Sequence, residues 1–189
     1  MARAVPSKIV MHPVPPSGCT SVARMLSPAQ SERLEACARV LDAPARIVMT
    51  GAVSPDARAA VAAGAGERVE VLIVDAGETK RVDGSIDVLF IGPTTRYSVA
   101  LDLFQRWPAR VVPGGTLFVY GAFASPALTT ALLRTIGSSR AWRYFDREGA
   151  LAEYVHAELS HGERVLDAIT QSAQLPYFCR TLARRRAAR

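Results

Sequence analysis

Residues 86–121 decide the fold, and they begin with the apolar run Ile86-Asp87-Val88-Leu89-Phe90-Ile91-Gly92. An amphipathic segment of helix length follows at residues 97–107. A second apolar run, Thr116-Leu117-Phe118-Val119-Tyr120-Gly121, ends the stretch. Two runs of strand length on either side of one helix are typical of a β-α-β unit. Both runs are apolar at consecutive positions, so we expect both faces of each strand to be buried, as in a parallel sheet covered by helices.

The rest of the chain continues the same alternation of strands and helices. We predict further strands at residues 8–11, 45–50 and 68–76, and helices at 20–26, 30–41, 55–63, 127–136 and 159–169. Residues 141–145 are aromatic and strand-like, and residues 151–156 are either a further strand or the start of a helix. The pattern predicts an α/β fold with a Rossmann-like, mostly parallel sheet and helices on both faces. With 189 residues, 49% of them hydrophobic, the chain is long enough for one domain with a real core.

The opening stretch resembles the fourth and fifth strands of class I S-adenosylmethionine-dependent methyltransferases. The resemblance is carried by residues 85–91, then Tyr97, Asp102-Leu103 and Trp107, and then Pro113-Gly114-Gly115-Thr116-Leu117. It is strongest to the small bacterial branch whose fourth strand normally ends Asp-Gly-Asp-His. The resemblance implies a C-terminal antiparallel hairpin at about residues 141–156. It also implies a single methyltransferase-like domain at residues 1–178, with a basic tail at 179–189.

The resemblance implies a set of contacts to S-adenosylmethionine. It places a glycine-rich turn after the first strand, where Gly18 lies between Ser17 and Cys19, because a side chain would block the approach of the backbone to the cofactor. It places a ribose-binding acid near Thr50, where this sequence has no acid. It places Asp75 and Ala76 beside the adenine. The implied cofactor-binding residues are Ser17, Gly18, Cys19, Thr50, Asp75, Ala76 and Gly92.

Four residues are candidates for a catalytic role: His12, Thr94, Thr95 and Tyr120. In the resembling branch, acids and a histidine follow the fourth strand and can hold a divalent metal. This chain has Pro93-Thr94-Thr95 there. Threonine hydroxyls are poor metal ligands and poor bases near neutral pH, so we predict a reaction without a metal. Each candidate also has a structural interpretation: Thr94 or Thr95 as a helix N-cap, Tyr120 as a core residue, and His12 as a surface or packing residue.

Three functions follow from these observations. The first is an S-adenosylmethionine-dependent methyl transfer to a small-molecule nucleophile. The second is a catalytically inactive methyltransferase fold that serves as a binding or scaffold protein, which the missing glycines and acids favour. The third is a nucleotide- or phosphosulfate-binding transferase, because residues 16–21 resemble a phosphate-binding loop before a helix, although they contain no lysine or arginine.

The charge distribution argues against nucleic acid as a partner. The net charge is +6, but five arginines lie in the acid-free residues 180–189, so the rest of the chain is nearly neutral. No apolar run is long enough to span a membrane, and no secretory signal follows the N-terminus. Three widely spaced cysteines fit a reduced, cytoplasmic setting. A homodimer and a complex with a partner subunit both stay open.

Overall fold

The computed structural model of the protein describes residues 10–11, 25–42, 44–67, 69–78 and 82–187. In chain order, the described elements are β1 (Val10–Met11), α1 (Pro28–Arg39), β2 (Ala45–Thr50), α2 (Pro55–Gly64), β3 (Val69–Val74), β4 (Ile86–Ile91) and α3 (Tyr97–Arg106). A short 3₁₀ turn (Pro108–Arg110) leads into β5 (Val111–Tyr120), α4 (Pro126–Thr135), β6 (Trp142–Glu148), β7 (Leu151–His156), α5 (His161–Ser172) and α6 (Leu175–Ala187).

These residues form a seven-stranded sheet in the order β1-β3-β2-β4-β5-β7-β6. The first five strands in that order are parallel, and β7 runs antiparallel to both β5 and β6. The predicted α/β fold with a C-terminal antiparallel hairpin is therefore confirmed. The predicted strand at residues 8–11 is present at Val10–Met11, but it lies at the outer edge beside β3.

The central strands are buried on both faces, as their continuous apolar runs predict. In β4, Leu89 packs into a core cluster with α3 and α4. Its neighbours Val88 and Phe90 pack into a second cluster with α1 and α2 on the opposite face. Successive side chains of a strand point to opposite faces, so a strand covered on both sides needs apolar residues at every position.

Two predicted boundaries differ from the structure. The Pro113-Gly114-Gly115 segment lies inside β5, where pairing with β4 shifts between Val111 and Thr116, and is not a turn before the strand. The predicted boundary between residues 178 and 179 falls within α6, which is continuous from Leu175 to Ala187. In the described part of the chain, no helix is long and apolar enough to cross a membrane.

Candidate functional site

Four strands end side by side at one edge of the sheet. Thr50 pairs with Val74 of β3 and with Ile91 of β4, and Ile91 pairs with Val119 of β5. The residues that follow at this carboxyl edge are, in spatial order, Asp75, Gly51, Gly92 and Tyr120. Open parallel sheets bind ligands at this edge, at the point where the chain order reverses, which here lies between β2 and β4. The carboxyl edge is therefore the candidate site.

Two glycines let the backbones after β2 and β4 lie in direct contact. The Gly92 N–H donates to the carbonyl of Thr50 at 2.8 Å. A Cβ atom on Gly92 would lie 2.6 Å from the carbonyl oxygen of Ala52, and Gly51 has a φ of 79°, which side chains disfavour. Gly51 and Ala52 are exposed, so a stretch of backbone without bulky side chains faces solvent at the reversal point.

The turn after β2 leads directly into the N-terminus of α2. The Val53 N–H donates to the Gly51 carbonyl at 2.9 Å, and the Ser54 hydroxyl caps the helix by accepting from the Ala57 N–H at 3.2 Å. Beside this turn, the hydroxyl of the fully buried Thr50 and one carboxylate oxygen of Asp56 have no hydrogen-bond partner within the described residues. Both atoms have almost no surface accessible to solvent, so they belong to the interior beneath the turn and do not line the candidate site.

Asp75 directly follows β3 and is exposed. Its carbonyl accepts from the Glu78 N–H at 3.0 Å, which closes a turn, while its carboxylate has no partner in the described part of the chain. The next residue, Ala76, is fixed through its carbonyl, which accepts from the indole N–H of the fully buried Trp107 at 3.2 Å. A rigid backbone thus holds a carboxylate that is open to solvent at the candidate site.

The catalytic candidates after β4 and β5 have structural contacts. The predicted role of Thr94 or Thr95 as the N-cap of α3 is wrong, because Arg96 is the N-cap and has no side-chain bond. The Thr94 hydroxyl instead accepts from the Arg96 N–H at 3.3 Å. Tyr120 is 6% exposed, and its hydroxyl donates to the Met25 carbonyl at 3.1 Å, as a core tyrosine requires.

Several predicted residues fall where the structure makes no statement. His12, Ser17, Gly18 and Cys19 lie outside the described residues, as does the loop at 16–21 that resembles a phosphate-binding loop. The sheet order nevertheless corrects the assignment of the strands. Because β1 lies at the outer edge and β2 is central, the turn at Gly51, and not the one expected at Gly18, follows the central strand.

The sequence analysis does not name Gly51, Ala52 or Asp56, which the structure places at or beside the carboxyl edge, as candidate residues. The signal was present in the sequence, since residues 50–55 read Thr-Gly-Ala-Val-Ser-Pro. A glycine directly after a buried strand, followed by a serine cap and a proline, is the pattern of a tight turn into a helix. The sequence analysis does not assign it to the site because the resemblance places the glycine turn after the strand at residues 8–11.

An open groove of about 560 Å³ lies away from this edge, between α1 and the hairpin. Its arginine, Arg33, is already engaged by Glu153 at 2.6 Å and Asp146 at 2.9 Å. Burial raises the pKa of the Cys37 thiol in the same groove to about 11, so this cysteine is protonated and unreactive near neutral pH. Within the described residues, no three His, Cys, Asp or Glu side chains are placed to hold a metal ion.

No protein-family model and no curated protein sequence matches the chain. Solved structures do match its fold. Cofactor-bound Rv0187 from MTB superposes with a TM-score of 0.57 at 15% identity, over 75% of this chain and 84% of that one. An O-methyltransferase described as putative, from Klebsiella pneumoniae, gives 0.56 at 11% identity, over 72% and 83% of the two chains. The O-methyltransferase TomG from Streptomyces achromogenes, in complex with SAM, gives 0.52 at 14% identity, over 70% and 81%.

The chain has the class I methyltransferase fold. The resemblance found in residues 85–117 therefore extends to the three-dimensional structure of most of the chain. At these sequence identities the similarity shows the fold alone. A conclusion about ligands must therefore be based on the residues at the carboxyl edge.

Proposed function

We propose that the protein binds S-adenosylmethionine at the carboxyl edge of its sheet and transfers the methyl group to a small-molecule nucleophile without a metal. The observation that carries the proposal is the row of Asp75, Gly51 and Gly92 on three adjacent parallel strands. The row combines an open carboxylate with exposed backbone at the point of chain reversal.

The strand order supports a different set of residues for the proposed cofactor contacts. In the methyltransferase fold, a glycine turn approaches the ribose and methionine carboxylate, and an acid at the end of the next strand accepts the ribose hydroxyls. With β2 in the centre, Gly51 takes the place of the turn, and Asp75 at the end of the adjacent β3 takes the place of the ribose acid. The resemblance placed the ribose-binding acid near Thr50, where the sequence has no acid. With Asp75 in that role, one objection to cofactor binding is removed.

The remaining residues position the two reactants. The bound cofactor supplies an activated methyl group, so alignment of the nucleophile can provide much of the rate. Thr94 and Thr95, on the loop after β4, are the polar side chains that we expect to orient a substrate beside the Gly51 turn.

Calorimetric titration with S-adenosylmethionine and S-adenosylhomocysteine tests this proposal. We expect binding by the wild-type protein, and a loss of about 10- to 100-fold in affinity in Asp75→Ala, because charge-assisted hydrogen bonds to two hydroxyls are removed. The matched control is Asp83→Ala, an exposed acid whose backbone is bound by Arg46 at the opposite end of the sheet. Equal affinities for both variants, or no binding by the folded wild type, would contradict the proposal.

A binding protein without catalysis is the second candidate. One observation favours it: among the described residues at the carboxyl edge, Tyr120 donates its hydroxyl to a backbone carbonyl, and no histidine is present to act as a base. Cofactor binding with no formation of S-adenosylhomocysteine, measured across phenol, amine and thiol nucleophiles, would favour this candidate. Formation of S-adenosylhomocysteine that is lost in Asp75→Ala would favour the enzyme.

A further inference from the structure

Helix α6 places four arginines on an ordered element of the structure. It is continuous from Leu175 to Ala187 and carries arginines at positions 180, 184, 185 and 186. No acidic residue follows Asp167 in the sequence, so residues 168–189 contain five arginines and no acid. The expectation that nucleic acid is not a partner depended on these arginines lying in a tail. On a helix, they instead form a dense positive charge with a regular spacing.

One side of α6 is fixed to the body of the protein. The guanidinium of Arg147 lies 3.9 Å from the centre of the Tyr177 ring, and its Nε donates to the side chain of Gln174 at 2.8 Å. Tyr177 and Phe178 pack against the core cluster that contains Leu89. The half-buried residues of the helix form one stripe, which consists of Tyr177, Phe178, Thr181 and Leu182. The opposite side of the helix is therefore held in a fixed direction, away from the body.

That opposite side is exposed and carries Arg180 and Arg184. From the second position of the helix onward, the exposed residues recur at alternating spacings of three and one, which places them on one face of an α-helix. They are Pro176, Cys179, Arg180, Ala183, Arg184 and Ala187, and we call them the α6 face. Within the described residues, neither arginine of this face has an acid partner. Like charges one turn apart repel each other, so an anion that contacts both arginines would stabilise the helix.

We propose that the α6 face binds double-stranded DNA, with the helix in the major groove and its arginines on the phosphates of the groove walls. Arginine suits this role because its guanidinium donates two parallel N–H bonds to a phosphate. A helix is about 10–12 Å across and the major groove of B-form DNA is about 12 Å wide, whereas that of an RNA duplex is too narrow for a helix. The inference is independent of the proposed methyl transfer.

The side chains of the α6 face fit a groove and do not fit a membrane surface. Its residues between and beside the arginines, Cys179, Ala183 and Ala187, are small and allow a close approach. A helix that lies on a membrane inserts bulky apolar side chains between the lipids. Beyond its first position, the bulky residues of α6 belong to the half-buried stripe. The contact is therefore mainly electrostatic, as in sequence-independent binding to DNA phosphates.

Fluorescence anisotropy tests the proposal with a labelled DNA duplex of about two helical turns, titrated with the full chain at several salt concentrations. Each phosphate contact contributes about −0.9 to the slope of log K against log salt concentration, so the four arginines of α6 predict a slope of about −4. We expect a dissociation constant of about 1–100 μM near physiological salt. Arg180→Gln/Arg184→Gln should reduce the slope to about half and weaken binding at low salt at least about 10-fold.

The matched control removes two arginines from other helices. Arg39→Gln/Arg106→Gln lowers the net charge by the same amount, but these arginines pair with Glu35 and Asp102 on their own helices. This variant should leave the salt slope unchanged. Arg180→Lys/Arg184→Lys keeps both charges on the α6 face and should also keep the slope. Circular dichroism of each variant shows whether the fold is intact, and the exposure of the substituted residues predicts that it is.

Three results would overturn the proposal. The first is a folded wild-type protein that does not bind the duplex at low salt. The second is an equal loss of affinity in Arg180→Gln/Arg184→Gln and in the matched control, which would assign the binding to the total charge and not to the α6 face. The third is another preferred partner, shown by tighter binding to RNA than to DNA at equal phosphate concentration or by flotation with anionic phospholipid vesicles without duplex binding.

Discussion

Helices α1 and α5 begin in the same way, but beyond the first turn, where α1 buries Gln30, they bury opposite kinds of residue. Each has 12 residues and starts with a serine in a capping box, Ser27 with Gln30 in α1 and Ser160 with Glu163 in α5. Helix α1 buries Leu34 and Ala38 against a face of the sheet, whereas α5 buries Asp167 and Gln171 against its edge. A sheet face offers apolar side chains and a sheet edge offers backbone donors and acceptors. The surface beneath a helix therefore decides which side is turned inward.

The largest difference should appear when the buried apolar contact of α1 is removed. Leu34→Ala, at a site 3% exposed, should lower the free energy of unfolding by about 2–5 kcal/mol, because it leaves a cavity under the helix. Urea denaturation measures this, with Val40→Ala as an exposed control expected within about 0.5 kcal/mol of wild type. A smaller loss of unfolding free energy for Leu34→Ala than for Asp167→Leu would contradict the expectation that the apolar contact of α1 contributes more than the polar contact of α5.

Removing the buried polar contact of α5 should also destabilise the protein, even when an apolar residue replaces it. Asp167→Leu should cost about 1–3 kcal/mol, since the buried N–H of Tyr144 loses its acceptor. Asp167→Asn should cost less, because its carbonyl can still accept from Tyr144 and its amide can donate to the Gln171 carbonyl oxygen, which has no partner at present. Asp167→Leu as stable as wild type in urea would show that the edge does not need a polar cover.

The two caps should contribute equally. Ser27→Ala and Ser160→Ala should each lower the free energy of unfolding by about 1 kcal/mol, because each removes one side-chain acceptor for a backbone N–H. Parallel urea titrations of the two variants measure the effects, which local geometry alone should determine. If only one variant is destabilised, the terminus of the other helix is held by its packing against the protein and not by its serine cap.

The smallest effect is a pH dependence that the N-terminal cap of α5 should show and that of α1 should not. Hydrogen bonds from the Ser160 hydroxyl, from the Ser160 backbone N–H and an attraction to Arg143 lower the pKa of Glu163 below its usual 4.5. A lowered pKa in the folded state means that the carboxylate stabilises the fold above about pH 4.5 and that this contribution is lost as the pH falls through the folded value. Carboxyl NMR titration should show a pKa that rises in Ser160→Ala.

Helix α1 provides the control for that titration. Gln30 occupies the position of Glu163 in its capping box and does not ionise. The contribution of the Ser27 cap should therefore be the same at pH 3 and pH 7. A Glu163 pKa unchanged by Ser160→Ala would contradict the assigned cause of the shift.

Most strands and helices could be predicted because their signals are local. The continuous apolar runs of β2 and β4 indicated buried strands, and Ser54-Pro55 and Ser125-Pro126 marked the starts of α2 and α4. The order of strands could not be predicted the same way. An apolar run indicates that a strand is buried but not which strand lies beside it. The resemblance therefore places the glycine turn after the strand ending at Met11, whereas the central strand is β2.

That single error shifted the candidate site by one strand. Asp75 and Gly92 were named from the sequence, and the structure places both on the same edge, while Gly51 between them was overlooked. The prediction of Thr94 as a helix N-cap is also wrong. Its hydroxyl accepts from the N–H of Arg96, in the turn before α3, and not from an N–H of the helix. The residue types show which hydrogen-bond donors and acceptors are available, but the tertiary contacts determine which hydrogen bonds form.

By itself, the sequence determined most of the strands, most of the helices and that the central strands are buried on both faces, because periodicity and capping act over a few residues. Only the tertiary structure decided that β2 is central, that Asp75, Gly51 and Gly92 form one row, and that α5 turns its apolar side outward. These properties depend on contacts between residues far apart in the chain. Such contacts depend on which apolar surfaces are buried against each other and on which buried backbone groups require a hydrogen-bond partner.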